Sequence, residues 1–395
     1  MPAVDVLVVG GGPAGCVAAW EAAAAGAGEV LLVERDRAIG APVRCAEGVG
    51  SDGLREFLDP DGAPWVSRRI TRVIFVAPDD TEVRLVERDV GYILDRTRFE
   101  PVLAERAARA GAAIRISTEA AAMTREGGRW RVTLRGPQGE ETCTARVVIG
   151  ADGVETMVGR WAGLETRVAA RDMESCAQYV VSNIVFDPDA IYLHFGPSVA
   201  PGGYAWIFPK GEGVANVGLG VVTLRGGGDG RTARQWLDGY VARRFPGATV
   251  TGLTVGGVIS AATVRRTVAD GLMLAGDAAH MINPLSGGGI ITAMKAGRLA
   301  GRHAAQALQA GDVSAKGLQP YHDDWMRLLG DAHLKYYKLK ETINRCDDDF
   351  FNRLAQTVNR IPLEKRTLAR VMTSALVHHP TLLPVAAQLF VQEFC

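Results

Sequence analysis

A glycine-rich turn between a predicted strand and a predicted helix limits what this chain can fold into more than any other feature. Apart from Asp5, residues 4–9 (VDVLVV) are apolar and mostly β-branched, which is typical of a central parallel strand. They lead into residues 10–15 (GGGPAG), which satisfy GxGxxG, and then into an Ala-rich segment of high helix propensity. A second apolar strand, residues 30–33, ends at Glu34. Strand, glycines, helix, second strand and acid in this order predict a Rossmann-type unit that binds a dinucleotide.

Each part of this unit has a physical task. Gly10 allows the tight turn, Gly12 lets the backbone approach a pyrophosphate without a Cβ between them, and Gly15 lets helix and strand pack closely. The helix N-terminus presents free N–H groups and the positive end of its dipole to the phosphates. Glu34 is placed to accept hydrogen bonds from ribose hydroxyls. From this unit alone, the ligand can be FAD or NAD.

Two later predicted strands also end in turns that contain glycine and aspartate. Residues 147–150 lead into Ala151-Asp152-Gly153, and residues 272–275 lead into Gly276-Asp277. After Pro284, the run Gly287-Gly288-Gly289-Ile290 opens another Ala-rich helix. By the same helix-terminus argument, this second glycine run is predicted to cradle an anion or a carbonyl group. Asp277 is predicted to accept a hydrogen bond from a ribityl hydroxyl.

These motifs in this order resemble the para-hydroxybenzoate hydroxylase superfamily of flavoproteins over most of the chain. The resemblance implies FAD as the cofactor, with the first motif at the ADP moiety and the last at the ribityl chain and the isoalloxazine edge. Residues 95–103 (DRTRFEPVL) resemble the superfamily helix whose first arginine contacts the ribityl and phosphate region. That contact is therefore assigned to Arg96.

Two further segments are similar to the geranylgeranyl reductase family within this superfamily. Residues 40–48 (GAPVRCAEG) match its PVRC-x-E segment, which in that family lies beside the isoalloxazine. Residues 204–211 (YAWIFPKG) match its Tyr-x-Trp-x-Phe-Pro strand, which lines the lipid cavity. Because Tyr204, Trp206 and Phe208 alternate, a strand would project all three from one sheet face as a wall for an apolar chain.

The resemblance and the motifs together give the expected site residues. Cys45, as an influence on protonation, and Glu47, as a nearby acid or a hydrogen-bonding group of the loop, are the candidate catalytic residues. The expected substrate residues are Tyr204, Trp206, Phe208 and Pro209. The expected cofactor-binding residues are Gly10, Gly12, Pro13, Ala14, Gly15, Glu34, Arg35, Arg44, Cys45, Ala46, Arg96, Ala151, Asp152, Gly276, Asp277, Pro284, Gly287, Gly288, Gly289 and Ile290.

The implied activity is that of an FAD-dependent oxidoreductase acting on CH–CH bonds. It saturates C=C double bonds of a geranylgeranyl or polyprenyl chain, carried by an isoprenoid lipid, a prenyl diphosphate or a quinone tail, by hydride transfer from reduced flavin. An external electron donor, which can be NAD(P)H, ferredoxin or a reductase, is the expected second partner.

Two alternatives stay open at this point. The first is a flavin monooxygenase or halogenase of the same superfamily, because the halogenase strand Trp-x-Trp-x-Ile-Pro matches residues 204–209 in part. The second is a non-catalytic prenyl-binding carrier, against which the intact glycine and aspartate motifs argue.

Charge and cysteine spacing narrow the classes of partner. The chain has 44 Lys and Arg against 44 Asp and Glu, so it lacks the basic surplus that nucleic-acid binding usually needs. Its six cysteines are scattered without metal-ligand spacing, which predicts no metal site. The N-terminus lacks the pattern of a secretory signal, so a cytoplasmic protein is expected. The apolar residues 371–391 are predicted to be packed helices, or else a surface for peripheral contact with the inner face of the membrane.

The predicted fold class is α/β, with a Rossmann-type FAD-binding domain, an antiparallel β-sheet substrate domain and a C-terminal helical region. The FAD-binding domain is expected to be discontinuous, over residues 1–66, 91–160 and 262–310. Residues 69–87 and 180–222 carry strand-like alternation, so residues 67–90 and 161–261 are assigned to the substrate domain. Residues 311–395 are assigned to the helical region. Within that region, Asp347-Asp348-Asp349 is predicted to start a helix.

Overall fold

The structure is a computed structural model that describes residues 3–86, 90–222, 230–367 and 370. The chain forms two compact units, each built from three segments. The first comprises residues 1–43, 96–168 and 261–334, and the second comprises residues 44–95, 169–260 and 335–395. Residues 44–66, which the sequence analysis groups with the FAD-binding domain, make their contacts in the second unit.

The strands, in chain order, are β1 (Ala3–Val9), β2 (Val30–Val33), β3 (Gly48–Gly50), β4 (Val66–Ile70), β5 (Arg72–Val76), β6 (Glu82–Leu85), β7 (Gly91–Leu94), β8 (Ala113–Arg115), β9 (Glu119–Glu126), β10 (Arg129–Gly136), β11 (Gly139–Gly150), β12 (Met173–Ser182), β13 (Ala190–His194), β14 (Ala205–Gly211), β15 (Val214–Val221), β16 (Thr249–Ile259), β17 (Val268–Ala269) and β18 (Leu272–Leu274). The helices are α1 (Pro13–Ala24), α2 (Ser51–Arg55), α3 (Arg96–Arg109), α4 (Met157–Trp161), α5 (Ala233–Arg244), α6 (Ile290–Ala310), α7 (Ala315–Trp325), α8 (Asp331–Ile343) and α9 (Asp348–Asn359).

The first unit is built on a sheet with the strand order β17-β18-β11-β1-β2-β8, extended by the hairpin β9–β10. Strand β1 pairs in parallel with β2 and β11, and β18 pairs in parallel with β11. Their β-branched and leucine side chains are buried, as central parallel strands require. The carboxyl ends of β1, β2, β11 and β18 therefore meet at one edge, where ligands of such sheets bind.

Two helices of the first unit approach each other closely over small residues. A Cβ built at Gly297 would lie 2.2 Å from the Ala14 carbonyl oxygen, and one at Gly301 would lie 2.4 Å from that of Ala18. Only glycine fits at these two positions of α6, so the small residues bring α6 against α1. This packing supports the helix that follows the first glycine turn.

The second unit contains a sheet with the strand order β16-β12-β15-β14-β13-β5-β6 and a small sheet with the order β3-β7-β4. In the larger sheet all pairs are antiparallel except β13 with β5. Helix α5 covers one face by packing Leu237 and Tyr240 on Ala177, Val181 and Leu219. The side chains of the opposite face form the site described below.

The fold class predicted from the sequence is confirmed, including helices after residue 311. Helix α9 begins as predicted, because the Asp347 carboxylate accepts a hydrogen bond of 2.8 Å from the Phe350 backbone N–H. Residues 371–391, with their predicted helical or membrane-contacting role, lie outside the described residues. In the part of the chain that the structure describes, no helix is long and apolar enough to cross a membrane, and no cluster of side chains could hold a metal ion.

Candidate active site

The first glycine turn leaves open space at the start of α1. Gly10 has φ +105°, and a Cβ there would lie 2.3 Å from the Ala151 carbonyl oxygen. A Cβ at Gly15 would lie 1.8 Å from the Gly10 carbonyl oxygen, so both glycines are required by packing. At Gly12, by contrast, a Cβ would meet no described atom within 4 Å. Pro13 and Ala14 follow at the start of the helix, and no described side chain caps it. The free N–H groups of this turn are therefore available to an anion.

Glu34 and Arg35 lie next to this turn at the end of β2. The Glu34 carboxylate accepts hydrogen bonds from the backbone N–H groups of Gly11 (2.6 Å) and Asp36 (2.8 Å). Each oxygen keeps a further lone pair, so the carboxylate can still accept from ribose hydroxyls. Arg35 forms a half-exposed ion pair of 2.6 Å with Glu155. This ion pair directs the Arg35 guanidinium to another side chain of the protein and not to an open site.

Two aspartates lie at the carboxyl ends of β11 and β18, directly after Ala151 and Gly276. The Asp152 Oδ2 atom accepts from the Val158 N–H at 2.9 Å, while its buried Oδ1 atom has no hydrogen-bond partner among the described residues. Burial raises the pKa of Asp152, and it also raises the pKa of Asp277, although the Arg96 guanidinium opposes the shift at Asp277. An unsatisfied buried acceptor at this edge fits a ligand that supplies hydroxyl groups, as the ribose and ribityl groups of FAD do.

The second glycine run is held by Asn283, which the sequence analysis did not single out. The Asn283 side chain accepts from the N–H groups of Leu285 (3.0 Å) and Ser286 (3.2 Å), and its carbonyl accepts from Gly287 (2.9 Å). Pro284 lies inside this loop, and Gly288, Gly289 and Ile290 follow it. Gly289 is the N-cap of α6, and no described side chain caps that helix. The first unit therefore presents two helix N-termini with unused N–H groups.

Arg96 is the first residue of α3, and Glu100 one turn later fixes its guanidinium in a buried ion pair. Gly40 has φ +83°, and a Cβ there would lie 2.4 Å from the Arg96 carbonyl oxygen. Glu100 was not predicted as a site residue, although its i, i+4 spacing from Arg96 was a usable signal. The ion pair gives the arginine one defined orientation.

In the second unit, residues 44–47 form a loop tied to the large sheet by two amides. Gln178 of β12 donates to the Cys45 carbonyl at 3.1 Å, and Asn216 of β15 donates to the Ala46 carbonyl at 3.3 Å. The Cys45 Sγ atom accepts from the Glu47 N–H at 3.1 Å, while Arg44 is exposed. These contacts fix the position of the thiol.

Glu47 is buried and holds the end of the same loop. Its carboxylate accepts from Lys210 Nζ at 2.7 Å and from Asn216 Nδ2 at 3.0 Å, and Lys210 also donates to the Leu94 carbonyl at 2.7 Å. The backbone at Glu47 has φ +72°, a left-handed conformation that persists only where its surroundings enforce it. An ion-paired carboxylate with these contacts positions the loop.

Replacing Lys210 with methionine is expected to destabilise the protein by about 3 kcal/mol, because the Glu47 carboxylate stays buried without its cation. Urea unfolding measures the change in the free energy of unfolding. In the double variant Lys210→Met/Glu47→Gln the buried charge is also removed, and most of the loss should return. Lys316→Met, at an exposed position of α7, is the matched control. A single variant as stable as the wild type would contradict this account of Glu47.

Tyr204, Trp206 and Phe208 lie on one face of the large sheet, where two glycines leave room for the Trp206 and Phe208 rings. The rings of Tyr204 and Trp206 lie 5.9 Å apart, and the Trp206 Nε1–H donates to the Gln178 Oε1 atom at 2.9 Å. A Cβ at Gly218 would lie 2.5 Å from the Trp206 ring, and one at Gly48 would lie 2.7 Å from the Phe208 ring. Pro209 follows within β14.

Gln178 thus links the two segments that the sequence analysis found separately, because its amide contacts both Trp206 and Cys45. The arrangement places a thiol and a phenol beside flat aromatic surface, which suits an apolar chain with one reacting group. Neither Gln178 nor Asn216 was predicted. Asn216 is the single amide of the otherwise apolar β15, whereas Gln178 stands in β12 with other polar residues and gave no distinct signal.

Two family models and several full-length relatives are similar to this chain. A family model described as geranylgeranyl reductase catalytic domain matches residues 172–258, and one described as FAD binding domain matches residues 3–191. The digeranylgeranylglycerophospholipid reductase of Methanocella arvoryzae is 40% identical over 384 residues, which cover 96% of this chain and 97% of the relative. The enzyme of the same name from Methanosphaerula palustris is 41% identical over 385 residues, 96% of each chain.

Solved structures are also similar to this chain over most of its length. A geranylgeranyl bacteriochlorophyll reductase-like protein from Thermoplasma acidophilum has a TM-score of 0.91 at 32% identity, over 98% of this chain and 99% of its own. A flavin-dependent brominase has a TM-score of 0.68 at 17% identity, over 91% of this chain and 100% of its own. At that identity the likeness to the brominase concerns the fold alone.

Proposed function

The chain belongs to the geranylgeranyl reductase family of FAD-dependent enzymes, and from that premise we propose that its substrate is a digeranylgeranylglycerophospholipid, whose C=C double bonds it saturates. Two full-length relatives carry the name of that activity. The observation that carries the proposal is the face on which Gln178 joins Trp206 to the Cys45 loop, because this face offers apolar surface beside a held thiol.

The first unit is proposed to hold the cofactor through the expected residues that it contains, which are all of them except Arg44, Cys45 and Ala46. The N–H groups at Gly12 and at the start of α6 bind phosphate and carbonyl oxygens, and Asp152, Asp277 and Glu34 accept from hydroxyls. The open space at Gly12 and the unsatisfied Asp152 Oδ1 atom support these assignments. When bound and reduced, FAD supplies the two electrons and one hydrogen that the alkene gains.

The second unit is proposed to orient the isoprenoid chain. Trp206 and Phe208 hold it by apolar contact, and Cys45 and Tyr204 lie against the carbon that becomes protonated. Glu47 keeps the Cys45 loop in place through Lys210. An isolated alkene is a weak base, so close placement of an acid is needed for the reaction. This division of tasks leaves the protein to position the chain and move one proton.

Family membership favours reduction over the two alternatives. The monooxygenase or halogenase hypothesis rests on a partial match of residues 204–209, and the brominase structure adds only a shared fold. The carrier hypothesis leaves the flavin-binding residues without a task. We propose an external electron donor, which can be NAD(P)H, ferredoxin or a reductase. We also propose a cytoplasmic protein in peripheral contact with the inner face of the membrane, where such a lipid resides.

A competition experiment tests the substrate. The purified, dithionite-reduced protein is incubated anaerobically with equal amounts of a digeranylgeranylglycerophospholipid, geranylgeranyl diphosphate and a menaquinone, and all three are followed by mass spectrometry. We expect mass gains in steps of two hydrogens on the glycerophospholipid before the other two. Faster reduction of the diphosphate or the quinone would assign the enzyme to that substrate and overturn the proposal.

A further inference from the structure

Strand β16 forms one edge of the large sheet and exposes apolar side chains there. Val250 and Leu253 are each 46% exposed, and Val255 is 59% exposed. Among the strands that the structure describes, no other carries a large apolar side chain exposed to this extent. A single exposed apolar side chain is common on protein surfaces, but three along one strand indicate contact with an apolar partner.

The three side chains lie on one face of the sheet, beside α5. In the register of β16 with β12, Leu253 pairs with Tyr179 and Val255 pairs with Ala177. Both partners belong to the core under α5, and directly paired residues share a face, so the exposed side chains extend that apolar face. A cavity lies between α5 and β16. We call its apolar residues together with Val255 the β16 surface, which comprises Val241, Phe245, Val250, Leu253 and Val255.

This edge lacks the charges that usually protect an exposed strand from sticking to other surfaces. Edge strands of soluble proteins commonly carry a charged residue or a proline, and β16 has neither. A bulge at Thr251 in the pairing with β12 is its one such protection among the described contacts. Residues 245–264 contain no charged side chain at all. An edge that stays uncharged over this length is suited to apolar surroundings.

An exposed arginine lies on each face of this edge. On the face that carries the site, a Cβ at Gly256 would lie 3.9 Å from the Arg44 Cβ atom, and Arg44 forms no ion pair with a described residue. On the α5 face, Arg234 lines the cavity together with Asp238, whose carboxylate accepts from the Tyr179 hydroxyl at 2.7 Å. An apolar strip between arginines is typical of proteins that lie in the interface of an anionic bilayer.

The edge is also adjacent to the residues that are proposed to hold the substrate. Thr254 of β16 pairs with Gln178 of β12, about 5 Å away across the sheet. The Gln178 amide contacts both Trp206 and the Cys45 loop. A lipid that leaves a bilayer at this edge therefore has one residue of β16 between it and Gln178.

We propose that the β16 surface docks the enzyme on a membrane of anionic phospholipids, from which it takes its substrate. This inference rests on the proposed function, which makes the substrate a membrane lipid. Leu253 and Val255 enter the apolar boundary of the bilayer, and Arg44 and Arg234 face its phosphate groups. Because the strip itself is uncharged, apolar contact supplies most of the binding free energy, and salt weakens the binding only in part.

Flotation of the protein with vesicles of phosphatidylglycerol and phosphatidylcholine in equal parts tests the docking. The wild type should float with the vesicles. In Leu253→Asp/Val255→Asp the partition coefficient should fall by at least about 30-fold, because two apolar contacts are lost and two carboxylates face anionic lipid. If that variant does not fold, Leu253→Thr/Val255→Thr keeps the strand propensity and should lower the coefficient by about 10-fold.

Leu363→Asp is the matched control. Leu363 is 48% exposed and lies after α9, in the segment whose Arg366 carbonyl accepts from the Val86 N–H beside β6. Strand β6 is the opposite edge of the same sheet, so this variant should bind vesicles as the wild type does. Arg234→Gln should lower binding to the mixed vesicles about fivefold and leave binding to vesicles of phosphatidylcholine alone unchanged.

The presentation of the substrate gives a second readout. When the lipid is supplied in the mixed vesicles, the double aspartate variant should lose kcat/KM by a factor similar to its loss of binding. When the same lipid is supplied in detergent micelles, its kcat/KM should match the wild type, because the residues around Gln178 are unchanged. A variant that is equally slow in micelles would show damage to the site and overturn the docking role.

The outcomes separate the docking surface from the proposed function. If the wild type does not float, or the double variant floats equally well while the lipid gains hydrogens, the docking surface is wrong and the proposed function stands. If flotation depends on β16 but neither vesicle nor micelle lipid gains hydrogens, the proposed function fails and the docking result remains. If sedimentation velocity without lipid shows a wild-type dimer that the double variant breaks into monomers, the surface joins two copies of this chain and the proposal is overturned.

Discussion

Replacing Gly12 with valine is expected to abolish FAD binding while the chain still folds. A Cβ at this position meets no described atom within 4 Å, and the backbone is extended there (φ −74°, ψ −174°), so we expect the variant to fold. It fills the space that a pyrophosphate needs in order to reach the N–H groups at the start of α1. The flavin absorbance per chain of the purified variant measures the loss. Unfolding in urea has to be compared between apo forms, because bound FAD adds to the stability of the wild type.

Two other glycines serve as controls for this result. Gly15→Ala should fail to fold normally, because its Cβ would lie 1.8 Å from the Gly10 carbonyl oxygen. Gly239→Ala, at an exposed position of α5 with open space, should keep a full complement of FAD and gain up to about 1 kcal/mol of stability. A Gly12→Val protein that retains one flavin per chain would contradict the placement of the pyrophosphate.

Replacing Trp206 with alanine is expected to lower kcat/KM for the lipid by about 10- to 150-fold. The loss corresponds to about 1.5–3 kcal/mol of apolar contact with the substrate chain. The variant also leaves Gln178 without its indole donor, so the Cys45 carbonyl loses part of its support. Steady-state kinetics with the lipid in detergent micelles measures the change. Trp206→Phe keeps the flat surface without the N–H group, so its kcat/KM should lie between those of the wild type and Trp206→Ala.

Trp236→Ala is the matched control for this variant. Trp236 lies in α5 and packs on the opposite face of the same sheet. Its removal should lower the free energy of unfolding without changing kcat/KM at a temperature where the protein is folded. Equal kinetic effects of the Trp206 and Trp236 substitutions would show that loss of stability, and not loss of substrate contact, explains both.

Local patterns were sufficient to predict the main elements of the first unit. Strand β1, its glycine turn, α1 and β2 all follow from residues that are close in sequence, so their periodicity is visible without tertiary information. The alternation of Tyr204, Trp206 and Phe208 likewise predicted side chains of one sheet face. Such patterns are reliable because a parallel strand or a tight turn imposes its own residue requirements.

The contacts that hold the site together could not be predicted in this way. Gln178 lies 133 residues from Cys45 in the chain, and Lys210 lies 163 residues from Glu47. Their pairing depends on where the loop of residues 44–47 meets the large sheet, and a polar residue in a strand does not specify a partner so distant in the chain. Glu47 illustrates the consequence, because the sequence left open a nearby acid or a hydrogen-bonding group of the loop, and only its distant contacts to Lys210 and Asn216 describe a carboxylate that positions the loop.

The central claim is that this chain uses FAD to saturate isoprenoid double bonds, and an anaerobic single turnover tests it most directly. Protein whose flavin has been reduced by one equivalent of dithionite is mixed with a digeranylgeranylglycerophospholipid, and flavin absorbance and lipid mass are followed together. The account predicts that each flavin reoxidised adds two hydrogens to the lipid without oxygen. Flavin that stays reduced until oxygen is admitted, with an unchanged or oxygenated lipid, would contradict it.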